Sequence, residues 1–357
     1  MSAADLPFKS LLVVRLGAMG DIIHTLPAVS ALRNAFPEVR LGWIVEERWA
    51  ELLCATDAAR SGPRSPARPL VDFLHTVNTK RWRKSLLARE SWRQISDVIR
   101  EVRSEKYDIA VDFQGALKSA AIARCAGAGT VFGMEHLRET PARIFYSHRV
   151  ATKGAHVIGH YYSIAEAVAE KPLPKPEVEF PRNEETEASL AGKLKDRGKD
   201  FVLITPGAGW AAKQWPAERY GEVAAALSKE GLASVVNFGP GEESLALAVQ
   251  SAGRGAAQPI SCSIGELITL TRRARLFIGG DTGPLHLAAA LRTPVVAIFG
   301  PTDPARNGPY GTRSVVLRNV ASQTSLSHVS TPDSGLLEIT TQEVIYAARR
   351  LLGSPDA

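Results

Sequence analysis

Short apolar runs alternate along the chain with stretches whose apolar positions recur at helical spacing. Residues 11–16 (LLVVRL) form a run that suits a buried strand, and Ile22, Leu26, Val29, Leu32 and Ala35 then mark one face of a helix over 22–36. Further strands are expected at 41–45 and 107–113, with a charged helix over 92–106 before the latter. The alternation restarts later, with strands at 201–205, 234–238, 276–278 and 295–299 and a helix over 217–229 among them. Strands alternating with helices predict a parallel sheet covered on both faces. Between the two series, residues 171–184 hold four prolines, which fix φ and lack a backbone donor, so this stretch reads as a stiff hinge.

The expected organisation is therefore α/β, with two Rossmann-like parallel-sheet domains facing a cleft. Residues 1–170 form the first domain, 171–184 the hinge, 185–330 the second domain and 331–357 a tail whose last helix, 341–352, packs back on the first half. In such sheets ligands bind at the carboxyl ends of the strands, so a ligand is expected between the halves.

Candidate chemistry sits where strands hand over to helices. Gly17-Ala18-Met19-Gly20-Asp21 follows the first strand but lacks the dinucleotide-binding spacing, which disfavours a dehydrogenase. A carboxylate there would repel phosphate; it suits a base that takes a proton from a sugar hydroxyl, and the helix dipole favours its ionised form. The alternative is a plain N-cap. His24, one turn on, reads as a surface or supporting residue. In Gly279-Gly280-Asp281-Thr282-Gly283-Pro284-Leu285-His286, amides at a helix start would bind an anion, with Pro284 at the first helical position. Asp281 is expected on sugar hydroxyls and His286 on a phosphate oxygen; a tight turn is the alternative. Pro206-Gly207-Ala208-Gly209 precedes Lys213, which would neutralise a pyrophosphate or else be a solvated lysine. Glu242, in Gly239-Pro240-Gly241-Glu242, could hold a ribose, and Cys262 ends a strand. Lys80, Arg81, Arg83 and Lys84 put four cations in five residues, either a solvated run or a grip on an acidic ligand, to which Arg138 and Arg143 could add.

Composition narrows the classes. The formal charge of +6 and pI near 9.3 allow nucleic acid, anionic lipid or an acidic substrate as partner, but no nucleic-acid-binding module is present, so none of that class is expected. No run of eighteen apolar residues marks a membrane span, and residues 1–10 do not read as a secretory signal. Cys54, Cys125 and Cys262 are scattered without metal-binding spacing and read as reduced thiols. No metal site is expected.

LGAMGDIIHTLPAVSALR, the Lys213-Gln214-Trp215-Pro216 segment, and GGDTGPLHLAAAL followed by FGPTDP together resemble glycosyltransferase family 9, from Leu11 to about Leu317. Residues 77–85, 111–120 and 138–146 look like acceptor-side segments of its heptosyltransferase I branch. The resemblance implies the GT-B architecture and transfer of heptose from ADP-L-glycero-β-D-manno-heptose to the Kdo region of lipid A, with inversion and without metal or other cofactor. It implies work at the cytoplasmic face of the inner membrane, as a peripheral protein on an anionic surface.

By that resemblance Asp21 is the general base, and Lys213 lies on the donor phosphate. Asp281, Thr282, Gly283 and His286 form the heptose and phosphate loop. Glu242 meets the ribose, and Cys262 the adenine pocket. Lys80, Arg81, Arg83, Lys84 and Arg138, with Met19 and Gly20, meet the acceptor. Ala208-Gly209 stand where some relatives carry two threonines, so backbone amides would replace hydroxyls on the phosphate. Closure of the two domains would assemble the site. Rival readings are an ADP-heptose transferase acting on another core sugar or on a protein, and a non-catalytic sugar-nucleotide-binding protein.

Overall fold

The computed structural model describes residues 8–85, 88–194, 200–325 and 331–353. The chain forms two compact units, Met1–Asn183 and Glu184–Ala357. The first holds a six-stranded sheet in the order β3-β2-β1-β4-β5-β6. Its strands are β1 (Ser10–Val14), β2 (Arg40–Glu46), β3 (Phe73–Val77), β4 (Ile109–Asp112), β5 (Thr130–Met134) and β6 (His148–Val150). The second has the order β12-β11-β10-β7-β8-β9. It comprises β7 (Phe201–Thr205), β8 (Ala233–Phe238), β9 (Ala257–Ser261), β10 (Leu276–Gly280), β11 (Val295–Phe299) and β12 (Ser314–Arg318). Every pairing between these strands is parallel.

Parallel strands covered on both faces need continuous apolar runs, and these have them. Leu12, Val14 and Ile44 pack with Val102 of the helix Arg89–Ser104 and with Ala120 and Ala123 of the helix Leu117–Cys125. Leu11 and Val13, which alternate to the other face, are equally buried. In the second unit Val202, Ile204, Ile278 and Ile298 meet Val223 and Leu227 of the helix Ala217–Lys229.

The final helix, Thr341–Leu352, corrects one expectation. Its Val344, Ile345, Ala348 and Leu351 belong to the core of the second sheet rather than returning to the first half. The amphipathic pattern shows that a face is buried, not against which partner. The proline-rich stretch carries neither helix nor strand over 172–183, up to the boundary between the units.

The loop 56–70 is ordered by one buried arginine. The Arg68 guanidinium donates to the carbonyls of Val71 at 3.0 Å, Gly62 at 2.6 Å and Pro63 at 3.0 Å, and also to that of Ala59. A side chain with five fixed donors can satisfy several inward-turned carbonyls at once.

Candidate active site

In the first unit, the helix expected from residue 22 begins at Met19, so Gly20 and Asp21 lie in its first turn. The Met19 side chain is buried and contributes packing. Asp21 Oδ2 accepts the Ala18 N–H at 3.2 Å and pairs with Arg15 at 2.7 Å. Asp21 is 40% exposed while Arg15 is 5% exposed. Gly17 is needed for a close approach: a Cβ there would sit 3.1 Å from the Trp49 indole nitrogen. His24 is buried, edge-on to His156 at 5.7 Å, so of the two readings the sequence allows, the surface one is set aside.

The loop after β4 closes against the same place. Asp112, fully buried, accepts Tyr146 O–H at 2.6 Å, Ser119 O–H at 2.8 Å and Gln114 N–H at 2.8 Å. Burial pushes its carboxyl above the usual range despite those bonds. Gln114 Oε1 in turn accepts the Leu16 N–H at 3.1 Å, tying the ends of β1 and β4 together.

The basic run forms the short helix Thr79–Lys84, N-capped by Asn78, and Lys80, Arg81, Arg83 and Lys84 are all exposed. A further cation, Lys118, sits beside it, donating to Thr79 Oγ1 at 2.7 Å and lying 3.7 Å from Glu46. Partial burial lowers its pKa, Glu46 opposes that, and the nearby Arg83 charge adds to it. Arg138 is exposed, and its backbone nitrogen would lie 3.5 Å from a Cβ on Gly115, beside the start of the helix Leu117–Cys125. Arg143 is exposed on the turn Thr140–Phe145.

In the second unit, Lys213 closes the turn Ala211–Lys213, and its Nζ lies 4.7 Å from the centre of the Trp210 ring. It is 15% exposed and bonds Asp281 Oδ2 at 2.6 Å, so it is not a solvated lysine. The other Asp281 oxygen meets His286 Nε2 at 3.1 Å. Burial alone would raise the Asp281 carboxyl, but His286 and Lys213 hold it far below the usual carboxylate range. Asp281, expected on sugar hydroxyls, thus clamps two cation-capable side chains first of all. The helix here is Gly283–Ala290, with Pro284 at its second position rather than its first. Thr282 sends its hydroxyl to the Gly280 carbonyl at 3.3 Å instead of capping that helix.

Glu242 accepts the Gly239 N–H at 2.8 Å, and a Cβ on Gly207 would meet its carboxylate at 2.3 Å, so the turns 206–209 and 239–242 converge. Glu242 and Ala208 line a cavity of about 630 Å³ together with Gln214 and Trp215. Gly209, next to Ala208, is exposed, with nothing near its missing Cβ. Cys262, one strand further out, is not among the residues lining that cavity, and burial pushes its thiol up to about 12. Among the described residues no group of three or more His, Cys, Asp or Glu side chains could hold a metal ion.

The motif residues are legible in the sequence, whereas Arg15, Asp112 and Lys118 escape it. For Arg15 and Asp112 the available signal is a charge inside an apolar run, since a buried charge demands a partner; Lys118, half exposed, carries no such signal.

The family and the fold have counterparts among known proteins. The family model of glycosyltransferase family 9 (heptosyltransferase) matches residues 95–334. Lipopolysaccharide heptosyltransferase 1 of Pseudomonas aeruginosa is 31% identical over 320 residues, covering 86% of this chain and 83% of that protein. Its counterpart in Escherichia coli K12 is 27% identical over 313 residues, covering 86% and 93%. The structure of E. coli heptosyltransferase WaaC with ADP matches with a TM-score of 0.77 at 24% identity, covering 96% of this chain and 99% of that one.

Proposed function

This chain belongs to glycosyltransferase family 9, and from that premise we propose that it moves heptose from ADP-L-glycero-β-D-manno-heptose to Kdo of the lipopolysaccharide inner core, with inversion and without a metal. That it is a glycosyltransferase of GT-B fold follows from the family and from the two parallel sheets. The observation that supports the finer reading is Asp21, a part-exposed carboxylate in the first turn of a helix whose sequence resembles the segment carrying the family's base.

In the reaction, Asp21 takes the proton of the acceptor hydroxyl as that oxygen bonds to the anomeric carbon. The bond from that carbon to the diphosphate oxygen breaks, and its electron pair leaves with ADP. Lys213 and the start of the helix Gly283–Ala290 meet the charge that develops there. Asp281 and His286 hold Lys213 in place for this. Ala208 and Gly209 offer backbone to the phosphates, Glu242 the ribose contact and Cys262 the base side, with Thr282 and Gly283 at the sugar. The direct test is incubation with a panel of sugar nucleotides and Kdo-lipid A, with products read by mass. Transfer of heptose from ADP-heptose alone supports the proposal; transfer of another sugar, or none, overturns it.

Metal independence has its own test. The cations assigned to the leaving group are side chains, so activity should persist in excess EDTA. Dependence on added magnesium or manganese would remove Lys213 from that role.

The acceptor proposed is anionic and lies at the cytoplasmic face of the inner membrane, which the enzyme would meet as a peripheral protein. No described helix is long and apolar enough to cross a membrane. Lys80, Arg81, Arg83, Lys84 and Arg138 supply exposed positive charge on the same unit as Asp21, and arginine can grip a carboxylate through two bonds. Neutralising Arg81 and Arg83 together should raise the acceptor KM and leave the donor KM unchanged. The wild-type acceptor KM should also rise with salt, since exposed charges are screened over about 8 Å at physiological ionic strength. Wild-type kinetics in the double variant at low and high salt would make the run ordinary surface.

A further inference from the structure

Arg15 is an arginine at the end of an apolar strand, with 4% of its surface exposed. Removing such a charge from water costs several kcal/mol unless it is paired and hydrogen-bonded. Its partners show how the charge is held. One guanidinium nitrogen, Nη1, donates to the Phe113 carbonyl at 2.6 Å. The other, Nη2, meets Asp21 Oδ2 at 2.7 Å. The guanidinium carbon lies over the Tyr161 ring, 5.5 Å from its centre. The backbone on either side is fixed as well, because Arg15 O accepts the Trp43 indole N–H at 3.1 Å and Leu16 N donates to Gln114 at 3.1 Å. Burial works against the Arg15 charge, but Asp21, Tyr161 and Asp112 more than offset it, so Arg15 stays charged.

The consequence falls on Asp21. Its Oδ2 is pinned twice, by Arg15 and by the Ala18 N–H. Its Oδ1 receives no hydrogen bond among the described residues, and the side chain is 40% exposed. A carboxylate held through one oxygen presents the other in a single orientation. We propose that Arg15 is a positioning residue that locks the Asp21 carboxylate so that Oδ1 alone faces the acceptor hydroxyl. The inference rests on the reading of Asp21 as the base. It adds that the orientation of the base is set from the core of the unit, by an arginine anchored to Phe113 and Tyr161, and not by the helix start alone. The first turn of a helix supplies one weak tether to its third residue; the guanidinium supplies a planar, charge-assisted one.

The test uses the full chain with ADP-heptose and Kdo-lipid A. Arg15→Met removes the charge and roughly keeps the length. It should lower kcat by about 10–100-fold, the scale of a misplaced catalytic group, with both KM values nearly unchanged. Arg15→Lys keeps a charge that can reach Asp21 without also bonding Phe113, and should recover part of that loss. The decisive arm is the double variant. In an Asp21→Asn background, Arg15→Met should cost nothing more, because the two residues act on one step. Thermal unfolding of each variant shows whether it is folded. Full activity in a folded Arg15→Met, or a loss that persists in the Asp21→Asn background, overturns the proposal. If Asp21→Asn alone retains wild-type kcat, it is the assignment of the base that fails.

Discussion

Replacing Asp21 with asparagine should cost about 10²–10⁴-fold in kcat, the range for loss of a general base, with donor binding little changed. The variant suits the site. Asparagine keeps the shape and can still accept from Ala18 N–H and Arg15, which hold the native carboxylate at 3.2 Å and 2.7 Å. What it loses is the ability to take a proton through Oδ1. Packing should hardly change, because Asp21 is 40% exposed. Steady-state kinetics with donor and acceptor varied separately check this. A kcat within a few-fold of wild type would leave Asp21 as a helix-terminal residue and nothing more.

Lys213→Ala should have two effects that a surface lysine would not. The first is on the donor: kcat/KM should fall by about 10–150-fold, corresponding to ~1.5–3 kcal/mol for a charge-assisted bond. The second is on stability. Lys213 and Asp281 are 15% and 5% exposed and 2.6 Å apart, so truncating the lysine leaves a carboxylate buried with His286 as its remaining partner. Breaking such a pair costs about 3–5 kcal/mol. Chemical denaturation with and without ADP separates the two effects. Unchanged kcat/KM would remove Lys213 from the donor site, and unchanged stability would mean that Asp281 does not depend on it.

The same pair sets an acid limit. The folded protein holds the Asp281 carboxyl far below its ordinary range, through His286 and Lys213 acting against burial. Ionised Asp281 therefore favours the folded state. That contribution is complete above the usual carboxylate range, near pH 4, and fades as pH falls below it. Asp281→Asn should lower stability at neutral pH and flatten its acid dependence.

Legibility in the sequence follows the physics of each element. Residues 201–205 and 295–299 are uninterrupted apolar runs in central or near-central strands, and their bounds match the pattern to the residue. The outer strands leave no such pattern: His148–Val150 has three residues, and Ala257–Ser261 carries Pro259, which only an edge tolerates. The first helix starts three residues before the apolar periodicity does, because glycine at 20 reads as loop although a first turn needs little propensity. Lys213, Asp281 and His286 stand out separately as motif residues; that they form one ion-paired cluster depends on bonds across 68 residues of chain. Arg15 shows in the sequence only as a charge in an apolar run, and what it bonds is hidden for the same reason. Its partner Phe113 lies 98 residues away, and its own surroundings in sequence are leucine and valine.

The place of the final helix bears on how the protein is made. The first unit has all its strands and helices by Asn183, so it can complete its core while the rest of the chain is still being synthesised. The second cannot. Val344, Ile345, Ala348 and Leu351 cover strands that emerge up to about 140 residues earlier. Until Thr341–Leu352 leaves the ribosome, the part of that sheet face it packs on, beside the helix Ala217–Lys229, stays uncovered. A nascent chain stalled or cut before Thr341 should therefore present a folded first unit joined to a second unit with an exposed, aggregation-prone apolar patch.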